Sequence, residues 1–372
     1  MRLVVCLMLV GLFAVSAATA AETGEPAKDD VRSLIEDGRW MRARAVLEPR
    51  VKANPTDAEA AAMLSRVRLA YGDLEGAVGL AETAVKLNGQ VAEYHWLLAR
   101  ACGEQARKAS LMKQFGLAKR FRQEAEAAIA RDPKHIQSRL YLVSYYAGAP
   151  GIAGGDVKKA EQIVAEVAAI DPAWGHMARA RFVEETKPAT DKKTADELAA
   201  LYKKALETAK TPAVRSEALS TLMGVYLTPP GQNFELVEQY GREAVKNDPQ
   251  RAGSYTALAM AYASRGKWAE LEAMLAESEK AVPENLAPYY QAGRVILLQG
   301  GDYARAERYF RKFLTQEPEA GPVTPAHAHW RLGLTLEKLG KRAEAIDEIE
   351  KATRLKPDFD DAKKDLRRLR GT

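Results

Sequence analysis

The stretch YTALAMAYASRGKWAEL, Tyr255–Leu271, contains two helices and the turn between them. Tyr255, Leu258, Ala259 and Tyr262 recur at helical spacing and share one face. Gly266 interrupts the pattern, and Trp268 opens a second helix. The design returns in HWRLGLTLEKLGKRAEAI, His329–Ile346, with Leu332, Gly333, Leu336, Gly340 and Ala345 in the corresponding places. Small residues let the two helices approach closely, and large ones fill the space between pairs.

Working outward, second helices of this kind share one ending: ANP at Ala53–Pro55, RDP at Arg131–Pro133, IDP at Ile170–Pro172 and NDP at Asn247–Pro249. Five, eight and twelve positions before each proline stand small or apolar residues, as at Phe121, Ala125 and Ala128 or Val237, Gly241 and Ala244. Ala43, Leu47 and Arg50 show the spacing first, with Arg50 the misfit. Ala160, Val164, Val167 and Leu271, Leu275, Ser278 continue it, as do Ala306, Phe310, Phe313 and Ala345, Ile349, Ala352. Two sets lack the proline: Ala77, Ala81, Ala84 and Leu198, Tyr202, Ala205. The anchors lie along one helix face, and proline ends the helix by excluding the helical conformation from the residue before it. Nine units result, 34 to 44 residues apart.

A helix-turn-helix unit repeated at this spacing resembles the tetratricopeptide repeat, TPR. The resemblance covers nearly everything from Asp30 to Pro357. It implies an all-α, right-handed superhelical solenoid of about nine helix pairs, residues 30–357, with residues 358–372 as a C-terminal capping helix. In FDDAKKDLRRLRGT, Ala362, Leu366 and Leu369 form one narrow apolar stripe and most other positions are charged, as an end helix requires.

The first thirty residues differ in kind. Arg2 precedes the apolar run LVVCLMLVGLFAV, and Ala18-Thr19-Ala20 offers a small-residue cleavage site. This describes a Sec-type signal peptide, residues 1–20, cleaved before Ala21 and followed by a flexible segment, 21–29. The expected location is periplasmic or secreted, with no stable membrane insertion after cleavage. An uncleaved anchor helix is the alternative. Cys6 lies too early in the run to be a lipoprotein cysteine. Cys102 then stands alone, excluding an internal disulfide or a cysteine-based zinc site and reading as a small buried apolar residue.

A composition of 47% hydrophobic and 28% charged residues fits a folded chain, and a net charge of +5 over 372 residues gives no case for nucleic acid. The stretch AGAPGIAGGDVKKA, Ala147–Ala160, raises the question of a phosphate loop. Its residues Gly151, Gly154, Gly155 and Asp156 are the candidate rim loop, either structural or in contact with a partner. A helix precedes it where a phosphate loop needs a strand, and neither GxxxxGK[ST] nor GxGxxG can be read in it. In register it joins the two helices of unit four, with Asp156 as the next helix's N-cap. Insertions GLAK near Gly116, Glu185–Thr194 and Thr228–Phe234 hold the same within-pair place in units three, five and six, so one edge carries an elaborated rim. Glu317–Ala326 joins two units and belongs to the opposite edge.

His95, His135, His176, His327 and His329 form no metal motif, and no nucleophile, base and oxyanion donor assemble. No enzyme, cofactor or metal is expected. The sharper signal is His95-Trp96 against His329-Trp330. In both, tryptophan stands three residues before the small residue, whereas Tyr255 and Tyr289 stand four before theirs. One residue turns a helix by about 100°, which points Trp96 and Trp330 toward the inner groove. Arg100 and Arg294 follow Trp96 and Tyr290 by four residues on the same face. The candidate groove is therefore Trp96, Arg100, Tyr290, Arg294 and Trp330, suited to a protein or peptide segment. Packing of the tryptophans on the next unit's first helix is the competing reading. The Lys and Asn of the family's carboxylate-clamp groove are missing here. The resemblance and the amino-terminal pattern together imply an exported interaction scaffold for envelope assembly or secretion, or alternatively a carrier or sensor of a glycan or cell-wall ligand.

Overall fold

The computed structural model describes residues 31–321 and 323–371, and the signal-peptide and cleavage expectations lie outside them. The described chain is a succession of antiparallel helix pairs with no strand among the described residues. The first three pairs are α1 (Val31–Glu36) with α2 (Trp40–Ala53), α3 (Ala58–Ala70) with α4 (Leu74–Leu87), and α5 (Ala92–Lys108) with α6 (Leu111–Arg131). Next come α7 (Ile136–Gly148) with α8 (Val157–Ile170), α9 (Pro172–Thr186) with α10 (Lys192–Thr208), and α11 (Pro212–Leu227) with α12 (Phe234–Asn247). The last three are α13 (Ala252–Ser264) with α14 (Trp268–Ala281), α15 (Ala287–Gln299) with α16 (Tyr303–Phe313), and α17 (Pro325–Lys338) with α18 (Arg342–Leu355). A final helix, α19 (Asp360–Arg370), lies against α18.

The proline signals act as local sterics require. Asn54, Asp132, Asp171, Asp248, Val282 and Lys356 precede prolines and leave the helix with φ between −128° and −152°. Asn88 does the same at −149° before a glycine. Pro318 differs: α16 has already ended at Phe313, and a longer connection follows.

Anchors on the second helices are buried almost without exception. Ala77, Ala81, Ala84, Ala345, Ile349 and Ala352 are fully covered. Arg50 is exposed and pairs with Asp57, and Leu198 is only half-buried because Ala195 and Ala199 take the inner face of α10. At Gly333 a methyl group would collide with the Ile349 side chain and approach the Ala345 carbonyl to 2.9 Å, so that pair closes only over glycine. The core is a series of neighbouring clusters strung along the array, as expected when each unit rests on the next.

Gly116 requires a correction. It lies inside α6, a continuous 21-residue helix, and the turn of unit three falls at Ala109–Ser110. The extra residues lengthen both helices of the unit, because nothing in GLAK is strong enough to break one. The other insertions are within-pair loops.

The array also meets itself. Arg39, between α1 and α2, pairs with Glu284 and donates through Nη1 to Gln250 Oε1 at 2.8 Å. Met41 N–H donates to Glu319 Oε2 at 3.0 Å, and Arg44 reaches Glu317 at 3.3 Å. The within-pair turn of unit one thus sits on the between-unit connections that follow units six, seven and eight. The Arg39 and Glu284 side chains are only 11% and 14% exposed, which makes this seam a buried ion pair with polar neighbours.

Candidate functional site

The seam borders a chamber of about 700 Å³ on the inner side of units one to six. First helices line it, because they form the concave face of the array. Trp96 on α5 is 6% exposed and borders the chamber with Trp40, Tyr141 and Trp174. Its indole packs edge-on against Tyr141 of α7 at 6.2 Å and lies 6.1 Å from the ring of His135, the N-cap of that helix. Trp96 therefore both faces the groove and packs on the next unit's first helix.

Arg66 and Arg100 flank the same indole, each guanidinium 5.9 Å from its ring centre. Arg181 lies 5.6 Å over Tyr141. Among the described residues, none of these three arginines forms an ion pair. Trp96 Nε1, Arg66 Nε and Arg100 Nε are buried with no hydrogen-bond partner. Burial, and then the charge of Arg100, lowers the pKa of Arg66. Glu93 and Glu36, which also line the chamber, oppose that effect, and Glu93 lies 3.5 Å from His135.

Asp37 and Asp248 line the chamber too, with the Glu217–Arg251 pair, which closes at 3.0 Å. Burial, and then Asp248, pushes Asp37 up to about 6. The chamber is lined by both signs of charge, Glu36 and Glu93 included, with Arg66, Arg100 and Arg181 set among its aromatic rings.

Trp96 and Arg100 are the two expected groove residues that come together here. Tyr290 is corrected: it is 3% exposed inside pair eight, 5.7 Å from Phe310 and 5.3 Å from Phe313. In the anchor register Phe310 and Phe313 correspond to Ala125 and Ala128 of unit three. Aromatic faces on α16 draw the tyrosine ring inward, whereas alanines on α6 leave Trp96 to its neighbour and the chamber. The Tyr290 hydroxyl accepts from Arg331 Nε at 3.1 Å. Arg294 is half-buried on α15 and does not line the chamber. Trp330 is also corrected: it packs edge-on against Phe359 at 5.1 Å and donates from Nε1 to Asp365 at 2.9 Å, so it anchors the cap.

The histidines beside the two tryptophans share one structural role. His95 Nδ1 lies 2.6 Å from Glu124, and His329 Nδ1 lies 2.6 Å from Glu348, in each case tying a pair's helices together. Burial works against the Glu348 carboxylate, but hydrogen bonds from His329 and Lys351 bring its pKa below the usual value. His327 caps α17 through Thr324. Cys102 is fully covered, and burial pushes its thiol up to about 11.

The glycine-rich stretch is a hydrogen-bonded loop. Pro150 O accepts from Ala153 and Gly155, Tyr146 O accepts from Asp156, and Gly154 turns with φ +91°. A side chain at Gly155 would overlap the Ala149 carbonyl. Asp156 caps α8 by accepting from Lys159 N–H at 3.1 Å. The Lys159 ammonium is held by Tyr146 and Glu126, so helix start and lysine already have partners.

Arg66, Arg181, Trp40 and Trp174 were missed by the sequence reading. Arg66 follows Ser65 as Arg100 follows Ala99, but Ala62 stands where Trp96 does, so no aromatic marked it. Arg181 stands seven residues after Trp174, two helical turns on the same face.

The Tetratricopeptide repeat family profile matches residues 29–90 and 295–358, at both ends of the array. The matched segments carry tetratricopeptide repeats, helix pairs continue unbroken between them, and such repeats are typical protein-interaction modules. No curated protein sequence matches it. Similar solved structures include a thermophilic TPR protein of Thermus thermophilus, 24% identical over 52% of this chain and 95% of that one, with a TM-score of 0.42. A TPR protein of Parabacteroides merdae is 16% identical over 84% and 98% of the two chains, at 0.41. Yeast Tom70 is 14% identical over 92% and 87%, at 0.38.

Proposed function

We propose that the protein is a non-enzymatic interaction scaffold, exported to the periplasm and acting in envelope assembly or secretion. The observation that carries the scaffold reading is the rim of units three and four. Met112 and Ile152 are each 89% exposed there, beside Phe115 at 45% and Val157 at 49%. Large apolar side chains presented this openly favour a partner surface. The amino-terminal pattern supports export, and no described helix is long and apolar enough to cross a membrane.

Met112→Ser with Ile152→Ser tests the rim. The purified chain should capture a stoichiometric envelope protein, and the double variant should lose it with an unchanged melting temperature, because exposed positions contribute little to stability. Retention by the variant would move the contact elsewhere. Export is tested by the recovered amino terminus: a periplasmic product beginning at Ala21 supports it, and a cytoplasmic one with Met1 intact refutes it.

The chamber favours a second reading, a carrier or sensor for an envelope-derived small ligand. Its volume of about 700 Å³ falls within the range of small-molecule sites.

A further inference from the structure

We infer that the chamber binds a small molecule with a single carboxylate or phosphate group on a neutral, ring-bearing body, the oxyanion held by Arg66, Arg100 and Arg181. This rests on the chamber being a ligand site and adds the chemistry of its ligand. The first ground is unmet hydrogen-bonding capacity. Trp96 is more than nine-tenths buried and lines the chamber with Nε1 unpartnered, and the Nε atoms of Arg66 and Arg100 beside it are unpartnered too. Native proteins rarely leave buried donors unmet, and each such group calls for an explanation. An oxyanion accepts several N–H donors at once and would satisfy this set.

The second ground is charge. Arg66 and Arg100 each lie 5.9 Å from the centre of one indole without an ion pair among the described residues, while arginines elsewhere pair freely, as at Arg139–Glu166 and Arg242–Glu277. Two like charges held together out of water are destabilising until a counter-charge arrives. The third ground is the carboxylates of the same lining. Glu36, Asp37, Glu93 and Asp248 would repel a second negative charge, which excludes a polyanion. The aromatic lining of Trp40, Trp96, Tyr141 and Trp174 suits a ring-bearing body.

The test is calorimetric titration of the full chain with glucose 6-phosphate, glucuronate and inorganic phosphate, with glucose as the neutral control. At least one sugar anion should bind saturably at one site per chain, with glucose undetectable at the same concentration. Where both sugar anions bind they should compete, and the tighter one identifies phosphate or carboxylate as the preferred group. Arg66→Gln and Arg100→Gln should each weaken binding about tenfold or more, while their ligand-free melting temperatures stay level or rise as the repulsion is relieved. Anion binding unaffected by both substitutions, or variants that melt several degrees lower without ligand, would overturn the proposal. Binding of glucose equal to that of the anions would keep the chamber as a ligand site but refute the oxyanion. No binding by any probe would remove both.

Discussion

Arg39→Ala should open the ring while leaving the repeats folded. Arg39 is the centre of the seam: it pairs with Glu284, donates to Gln250, and both charged side chains are nearly buried. A hydrogen bond to a charged group contributes about 1.5–3 kcal/mol and a neutral one about 1 kcal/mol. Truncation also leaves Glu284 without its nearest cation, and removing one member of a buried pair costs up to 3–5 kcal/mol. Glu284 retains Arg42 at 4.0 Å and would gain water on opening, so a total of about 2–4 kcal/mol is expected. That shifts the closed-to-open ratio by roughly 30- to 1000-fold. Dyes on cysteines placed at the exposed Ala45 and Gly321 span the seam, and Cys102, fully buried, will not react with them. Single-molecule energy transfer should show one short distance in the parent and a longer, broader distribution in the variant, with helicity unchanged. An unchanged short distance would refute the assignment of the seam to this contact.

Acid should tighten the same seam. Burial pushes Glu319 up to about 7, and Asp37 rises to about 6, above ordinary values of 4.5 and 3.8. Glu319 faces Glu284 and the Met41, Trp40 and Ala320 amides; Asp37 faces Asp248, Glu36, Arg39 and Arg251. A raised pKa in the closed form means that form holds protons the open form releases, so this contribution to closure weakens as pH rises through 6–7. The dye pair should report more open molecules at pH 8 than at pH 5; the reverse order would contradict this. Tyr255→Ala, at a fully buried ring, should lower stability in urea by about 3–5 kcal/mol. Trp330→Ala should mimic deletion from Phe359 onward, with faster hydrogen exchange confined to α17–α19; loss spread evenly along the array would argue against a capping role.

Periodicity and proline placement made the repeat legible because both are local. Three residues of lookback to Ala99 sufficed to place Trp96 on the concave side. The same rule misplaced Tyr290, whose position is decided by Phe310 and Phe313 on another helix. Trp330 packs on the cap, which the rule does not see. Gly116 misled because a glycine lowers helix propensity without forbidding a helix. The chamber was invisible for a deeper reason. It borders the seam where Arg39 meets Glu284, 245 residues later, and that meeting depends on the small rotations between successive units, which no single motif encodes. The unpaired arginines acquire meaning only once the groove is enclosed.

The most direct test of closure is hydrogen exchange at one amide. Met41 is the second residue of α2, where a helix supplies no internal acceptor, and its N–H donates to Glu319 across the seam at 3.0 Å. If the array is closed in solution, the Met41 amide should be protected in the parent chain. It should lose that protection in Glu319→Ala and in Arg39→Ala, while the amide of Leu47 in the same helix stays protected in all three. Rapid exchange of Met41 in the parent, matching the two variants, would show the array to be open and its inner surface to be a groove.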